Sequence, residues 1–132
     1  MTWSASGEEQ KLAERTRASL RRTADAEMTI TYQGLATMLA LSPPNTIHQI
    51  TTALERLMQQ DAQAGRPFIA AIAISKVRNG LPGAGFFECA KRLGRFEGDV
   101  DGPEARFFHA SELKAAFKYW GRFSGVASSE VR

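Results

Sequence analysis

Cys89 is the sole cysteine, and His48 and His109 are the only histidines, so a thiolate nucleophile, an imidazole base or a Cys/His metal site has to be built from these three. Cys89 lies in Phe86-Phe87-Glu88-Cys89-Ala90-Lys91-Arg92-Leu93, a short helical stretch in which the helix N-terminus, Lys91 and Arg92 would all lower a thiol pKa. No matched base accompanies it, and a lone cysteine in such a setting reads more economically as a small buried hydrophobe. Neither histidine stands at metal-ligand spacing from Cys89. Glu97, Asp99, Asp101 and Gly102 fall at positions 1, 3, 5 and 6 of a calcium loop, but Phe108 takes position 12, where a bidentate glutamate is required. The run Gly80-Leu81-Pro82-Gly83-Ala84-Gly85 lacks the Gly-Lys-Ser/Thr ending that would make it a phosphate loop, and it reads as a turn. A hydrolase or nuclease using Glu88, Asp99 or His109 is the least favoured reading, because no spacing among them is productive. The expectation is a chain without metal, cofactor or catalytic centre.

Charge is the more informative property. The net charge is only +3, but it is unevenly spread. From Arg66 to Arg95 there are six basic residues against the single acid Glu88, and from 96 to 112 five acids against one arginine. A basic segment beside an acidic one implies a polarised surface able to steer a polyanion. One cysteine rules out an intrachain disulfide, and the longest apolar run, Phe68 to Ile74, is far below a membrane span. These features fit a cytoplasmic protein with no membrane partner.

The elements that must position these residues follow from periodicity. The whole chain, 1–132, reads as a single domain. Ser6-Gly7-Glu8-Glu9 has capping-box spacing, predicting a basic N-terminal helix over about 7–24 with a thin apolar stripe, lying on the surface of the body. Met28-Thr29-Ile30-Thr31 is short and β-branched, and Thr31 can cap a helix from about Tyr32 to Leu41. Ser42-Pro43-Pro44-Asn45 must end that helix, and Asn45 or Thr46 can cap the next. There Ile47, Ile50, Leu54, Leu57 and Met58 recur at three- and four-residue steps, completing a helix-turn-helix. Phe68 to Ile74 reads as a strand, and Lys76-Val77-Arg78-Asn79-Gly80 as the turn of a β-hairpin. A short helix over about 86–93, an acidic loop over about 96–103, a C-terminal helix over about 104–120 with an aromatic face, and a frayed tail over 124–132 complete the chain. The expected class is α+β: a winged-helix-like core over about 28–94 with a β-hairpin wing and added N- and C-terminal helices.

Thr31-Tyr32-Gln33-Gly34-Leu35-Ala36 resembles the Thr-Tyr-Gly-x-Ile-Ala start of the winged-helix domain of O6-alkylguanine-DNA alkyltransferases and alkyltransferase-like proteins. His48 to Leu54 would lie on that family's recognition helix, and Ile74-Ser75-Lys76-Val77 on its active-site strand, so the resemblance covers about residues 29–87. It implies DNA binding through a winged helix, with Tyr32 touching the DNA backbone. The family's alkyl-accepting cysteine is replaced by Ile74, its histidine by Ser75 and its intercalating arginine by His48, so alkyl transfer by that mechanism is excluded on this alignment.

The expected function is non-catalytic nucleic-acid binding, most simply to duplex DNA. Thr46, His48, Gln49, Thr52 and Arg56 would read or follow a groove, Lys76, Arg78 and Asn79 on the wing would reach phosphates, and Tyr32 would set register. The competing reading is a protein–protein interaction module, in which the acidic loop or the aromatic C-terminal helix (Phe107, Phe117, Tyr119, Trp120) binds a partner.

Overall fold

The computed structural model describes residues 2–121, with side chains from Gly7 onward, so the expected tail over 124–132 lies outside the described residues. Five α-helices dominate them: α1 (Thr2–Asp25), α2 (Tyr32–Met38), α3 (Thr46–Ala64), α4 (Ala84–Arg92) and α5 (Pro103–Trp120). The only strands among the described residues are β1 (Ile30–Thr31) and β2 (Ala73–Ile74), paired in parallel with Ile30 opposite Ala73. None of the described helices is long and apolar enough to cross a membrane.

This overturns the expected β-hairpin wing and with it the α+β winged-helix class. Most of the apolar run predicted as a strand winds instead into a 3-10 turn, Ile69–Ile72, and only Ala73 and Ile74 extend. These two pair back to β1, so the strand needed to complete a hairpin is never formed. The return segment Leu81-Pro82-Gly83 is unsuited to a ladder, since Pro82 has no amide to donate. What survives of the turn is compact: Ser75 N–H donates to Leu81 O at 2.8 Å, while Asn79 and Gly80 adopt the positive φ that the Asn-Gly pair favours.

The 3-10 turn is the centre of the fold. All four of its residues are buried, and it packs on α1, α3 and α5. A buried segment outside helix and sheet still needs partners for its polar backbone. Here side chains supply several of them. Asp61 accepts from Ile69 N–H at 3.1 Å, Glu112 from Phe68 N–H at 2.8 Å, the His109 ring bonds Ala71 O at 2.9 Å, and Trp120 Nε1 donates to Pro67 O at 3.0 Å. Phe68, Phe86, Phe87, Phe96 and Phe108 form an aromatic cluster beside it, with ring centroids 5.0–6.4 Å apart.

α1 lies on the body with Glu14, Arg15, Ala18, Arg21 and Arg22 exposed, but its buried face is more closely packed than its thin apolar stripe suggests. Ala13, Thr16, Leu20 and Ala24 are buried against α3, the 3-10 turn and α5. Small residues let α1 lie close to its neighbours, and the Thr16 hydroxyl is satisfied by donating to Leu12 O at 2.7 Å. Thr31 caps α2 as expected, accepting from Gly34 N–H at 3.0 Å. In α3, Ile50, Ala53, Leu54, Leu57 and Met58 face inward together with one residue the polar stretch after Met58 conceals, Asp61.

Candidate nucleic-acid interface

The residues singled out from sequence divide between two places. The first is the N-terminal end of α3 and its flank along α1. Ser42 to Asn45, Ile47 and His48 are exposed, forming a tip where the Pro43-Pro44 turn meets the helix. Asn45 takes the cap position in a left-handed conformation (φ 65°) and makes no side-chain capping bond, so the first amides of a 19-residue helix stay open. No acid occupies its first turn. Gln49 braces the turn itself, donating to Ser42 O and Pro44 O at 3.2 Å each. Thr46 sits at the first turn, half-buried.

An open groove of about 620 Å³ runs between α1 and α3, lined by Glu8, Glu9, Lys11 and Arg15 on one side and His48, Gln49 and Thr52 on the other, with Leu12, Leu41 and Ala53 as apolar floor. Arg56 does not face solvent as a free cation: it donates to Glu9 Oε1 at 3.0 Å. Arg15 donates to Leu39 O at 2.6 Å, tying α1 to the end of α2.

The second place is the turn over residues 75–83. Lys76 and Asn79 are exposed, and Val77 between them is 85% exposed. Arg78 turns the other way, donating to Val100 O at 3.2 Å with Asp101 3.7 Å away. Basic turn and acidic loop therefore neutralise each other in part instead of forming two opposed surfaces. Tyr32 fixes the base of the turn: its hydroxyl accepts from Gly83 N–H at 2.8 Å, just before α4. Burial pushes that hydroxyl above its ordinary value of 10.0, outweighing the Gly83 amide and the Arg78 charge, so Tyr32 remains a neutral anchor. Arg56, expected along the groove, and Arg78, expected at phosphates, are thus both engaged in intramolecular contacts in this structure.

Other groups with potential chemistry are also structural. Cys89 is buried, and burial together with Glu55 pushes its thiol up despite the nearby Arg92, the reverse of the lowering that Lys91, Arg92 and the helix N-terminus suggested. His109 is buried, and desolvation lowers its pKa below the ordinary 6.5. Its Nε2 faces a carbonyl, so that nitrogen carries the proton in the neutral ring. Among the described residues no group of three or more His, Cys, Asp and Glu side chains is assembled to hold a metal ion.

Phe107 departs from the expected apolar face. Ala105, His109, Ala116 and Trp120 define the buried side of α5, which leaves Phe107 75% exposed. Sequence reasoning also missed Asp61 and its arginines, and the only available signal was an acid between two amphipathic core positions and Gly65. Comparison with protein-family models, with curated proteins and with solved structures finds no match.

Proposed function

We propose that this chain is a non-catalytic nucleic-acid-binding protein that presents the N-terminal end of α3 to duplex DNA. The observation that carries the reading is the tip itself: an exposed, acid-free and uncapped helix start bearing Thr46 and His48. Open amides and the positive end of the helix dipole favour a phosphate oxygen. Lys11 and Arg15 border the same groove and outweigh Glu8 there, since Arg56 pairs with Glu9. Thr52, one turn after His48, extends the line of polar side chains along the groove. The wing-borne contacts are no part of the reading, and Gln49 contributes by holding the tip.

The test is fluorescence anisotropy of a duplex titrated with the intact protein at several salt concentrations, using Lys11→Ala and His48→Ala as variants. Affinity falling linearly in log salt is expected, and removal of one phosphate contact lowers the slope by about 0.9. Absence of binding at low salt overturns the proposal. A matched duplex carrying O6-methylguanine serves as a further arm, and preference for it would extend the alkyltransferase-like resemblance to lesion recognition.

A protein-partner reading is favoured by one observation, the exposure of Phe107 on a helix whose other large apolar residues, Tyr119 apart, are buried or half-buried. A concentration-dependent mass for the wild type, lost in Phe107→Ser, would support it.

A further inference from the structure

The end of α3 opposite the tip carries a different kind of surface. Thr46 and Asp61 are separated by about 22 Å along the helix at 1.5 Å per residue. Around Asp61 the helices α1, α3 and α5 meet, and three guanidinium groups surround one indole. Arg17, Arg66 and Arg21 lie 4.8, 5.3 and 5.9 Å from the centre of the Trp120 ring. Asp61 answers two of them, with Arg17 Nη1 at 2.8 Å and Arg66 Nη2 at 3.0 Å. Arg21 is exposed and has no ion pair among the described residues, although Asp25 stands one helical turn on. The structural requirement is met by Arg17, Arg66 and Asp61, so Arg21 is surplus to it.

Tyr119 completes the surface. Its ring meets Trp120 in a T-shaped contact at 4.8 Å and is 48% exposed, so an open aromatic ring and the three guanidinium groups share the Trp120 indole as a common neighbour, with Lys118 exposed next to it in the chain. We propose that this cation-fringed aromatic surface is a second binding site, for single-stranded nucleic acid: a base stacks on Tyr119 while the flanking phosphates meet Arg21 and the outer edge of Arg66. Single strands alternate planar rings with anions, which is the pattern displayed here. A duplex keeps its bases stacked inside, and an acidic peptide offers charge without obligatory rings. The inference extends the nucleic-acid reading above, but it stands on residues at the other end of α3, so each can fail alone.

The experiment is anisotropy of a labelled oligothymidine single strand and of an unrelated duplex of equal length, with wild type, Arg21→Glu, Tyr119→Ala, Tyr119→Phe and His48→Ala. Thermal unfolding confirms that each variant is folded. Arg21→Glu and Tyr119→Ala are expected to weaken single-strand binding roughly tenfold and to leave duplex affinity within about twofold, whereas Tyr119→Phe keeps the stacking face and binds as wild type. His48→Ala should show the opposite selectivity. Single-strand affinity unchanged in Arg21→Glu and Tyr119→Ala overturns the inference. So does an absence of single-strand binding, even where the duplex still binds in a His48-dependent way. Polyglutamate competing as well as the oligonucleotide also overturns it, in favour of an acidic protein partner.

Discussion

Replacing Asp61 by Asn tests the reasoning about the fold most directly. The Asp61 side chain is fully buried, and both of its oxygens are in use: Oδ1 takes Arg17 Nη1 at 2.8 Å and Arg66 at 3.0–3.1 Å, while Oδ2 takes Ile69 N–H at 3.1 Å. An asparagine has one carbonyl oxygen. Whichever way the amide is turned, either the arginines or the Ile69 amide face an NH2 donor, and the negative charge is gone. Breaking a buried ion pair from one side costs about 3–5 kcal/mol. Arg17 retains Gln60 Oε1 at 3.0 Å and some access to solvent, as does Arg66, so the low end applies, about 3 kcal/mol. That is a large part of a typical domain's stability and corresponds to a fall in Tm of about 10 °C for a chain of this size. Urea and thermal unfolding followed by circular dichroism measure it. A double-mutant cycle with Arg66→Ala should return a coupling of about 1 kcal/mol or more. Asp61→Asn within about 0.5 kcal/mol of wild type would refute the reasoning.

Three further outcomes follow from the same geometry. Desolvation, chiefly, holds the folded-state pKa of His109 below 6.5, so the neutral ring's contribution to stability is complete above that value and declines as pH falls through 6.5 towards the folded pKa. His109→Gln, whose Nε2–H can still reach Ala71 O, should flatten this part of the stability-versus-pH curve, and an unchanged slope would contradict the assignment. Tyr32→Phe strips the acceptor from Gly83 N–H and should cost about 1–2 kcal/mol, read from the urea midpoint, with little change in helical signal. Phe107→Ser removes a 75% exposed ring and should shift the thermal midpoint of the isolated chain by less than about 2 °C, whereas a larger fall would mean the ring is packed in solution.

Local signals made some elements legible and not others. Thr31 as a cap, the prolines after Ser42 and the three- and four-residue spacing from Ile47 to Met58 are all read within a few residues, and α2 and α3 lie where these place them. The 3-10 turn was illegible because an apolar run fits a strand equally well when its backbone partners cannot be seen. Those partners are Glu112, His109 and Trp120, 38 to 53 residues away in sequence, together with Asp61, concealed in a stretch that looks like a polar linker. The wing failed for the same reason: β2 finds β1 across the chain, and the segment after Gly80 turns into α4.

Charge shows the same dependence on long-range pairing, with consequences for function. Counted along the chain, the basic segment from Arg66 to Arg95 looks like a phosphate-binding face, but four of its six cations are engaged within the protein. In space Arg66 meets Asp61, Arg78 meets Val100 O and Asp101, Arg92 meets Glu55 and Arg95 meets Glu112. A cation already paired inside the protein must break that contact before it can answer a phosphate, so its contribution to binding is reduced by whatever the internal pair is worth. Among the described residues the cations left outside such pairs include Lys76 and Lys91 within that segment and, from α1, Lys11 beside the α3 tip and Arg21 beside the Trp120 ring. Salt-dependent duplex binding should therefore respond more strongly to Lys11→Ala, and single-strand binding to Arg21→Glu, than either does to Arg78→Ala, which should act mainly by releasing the acidic loop.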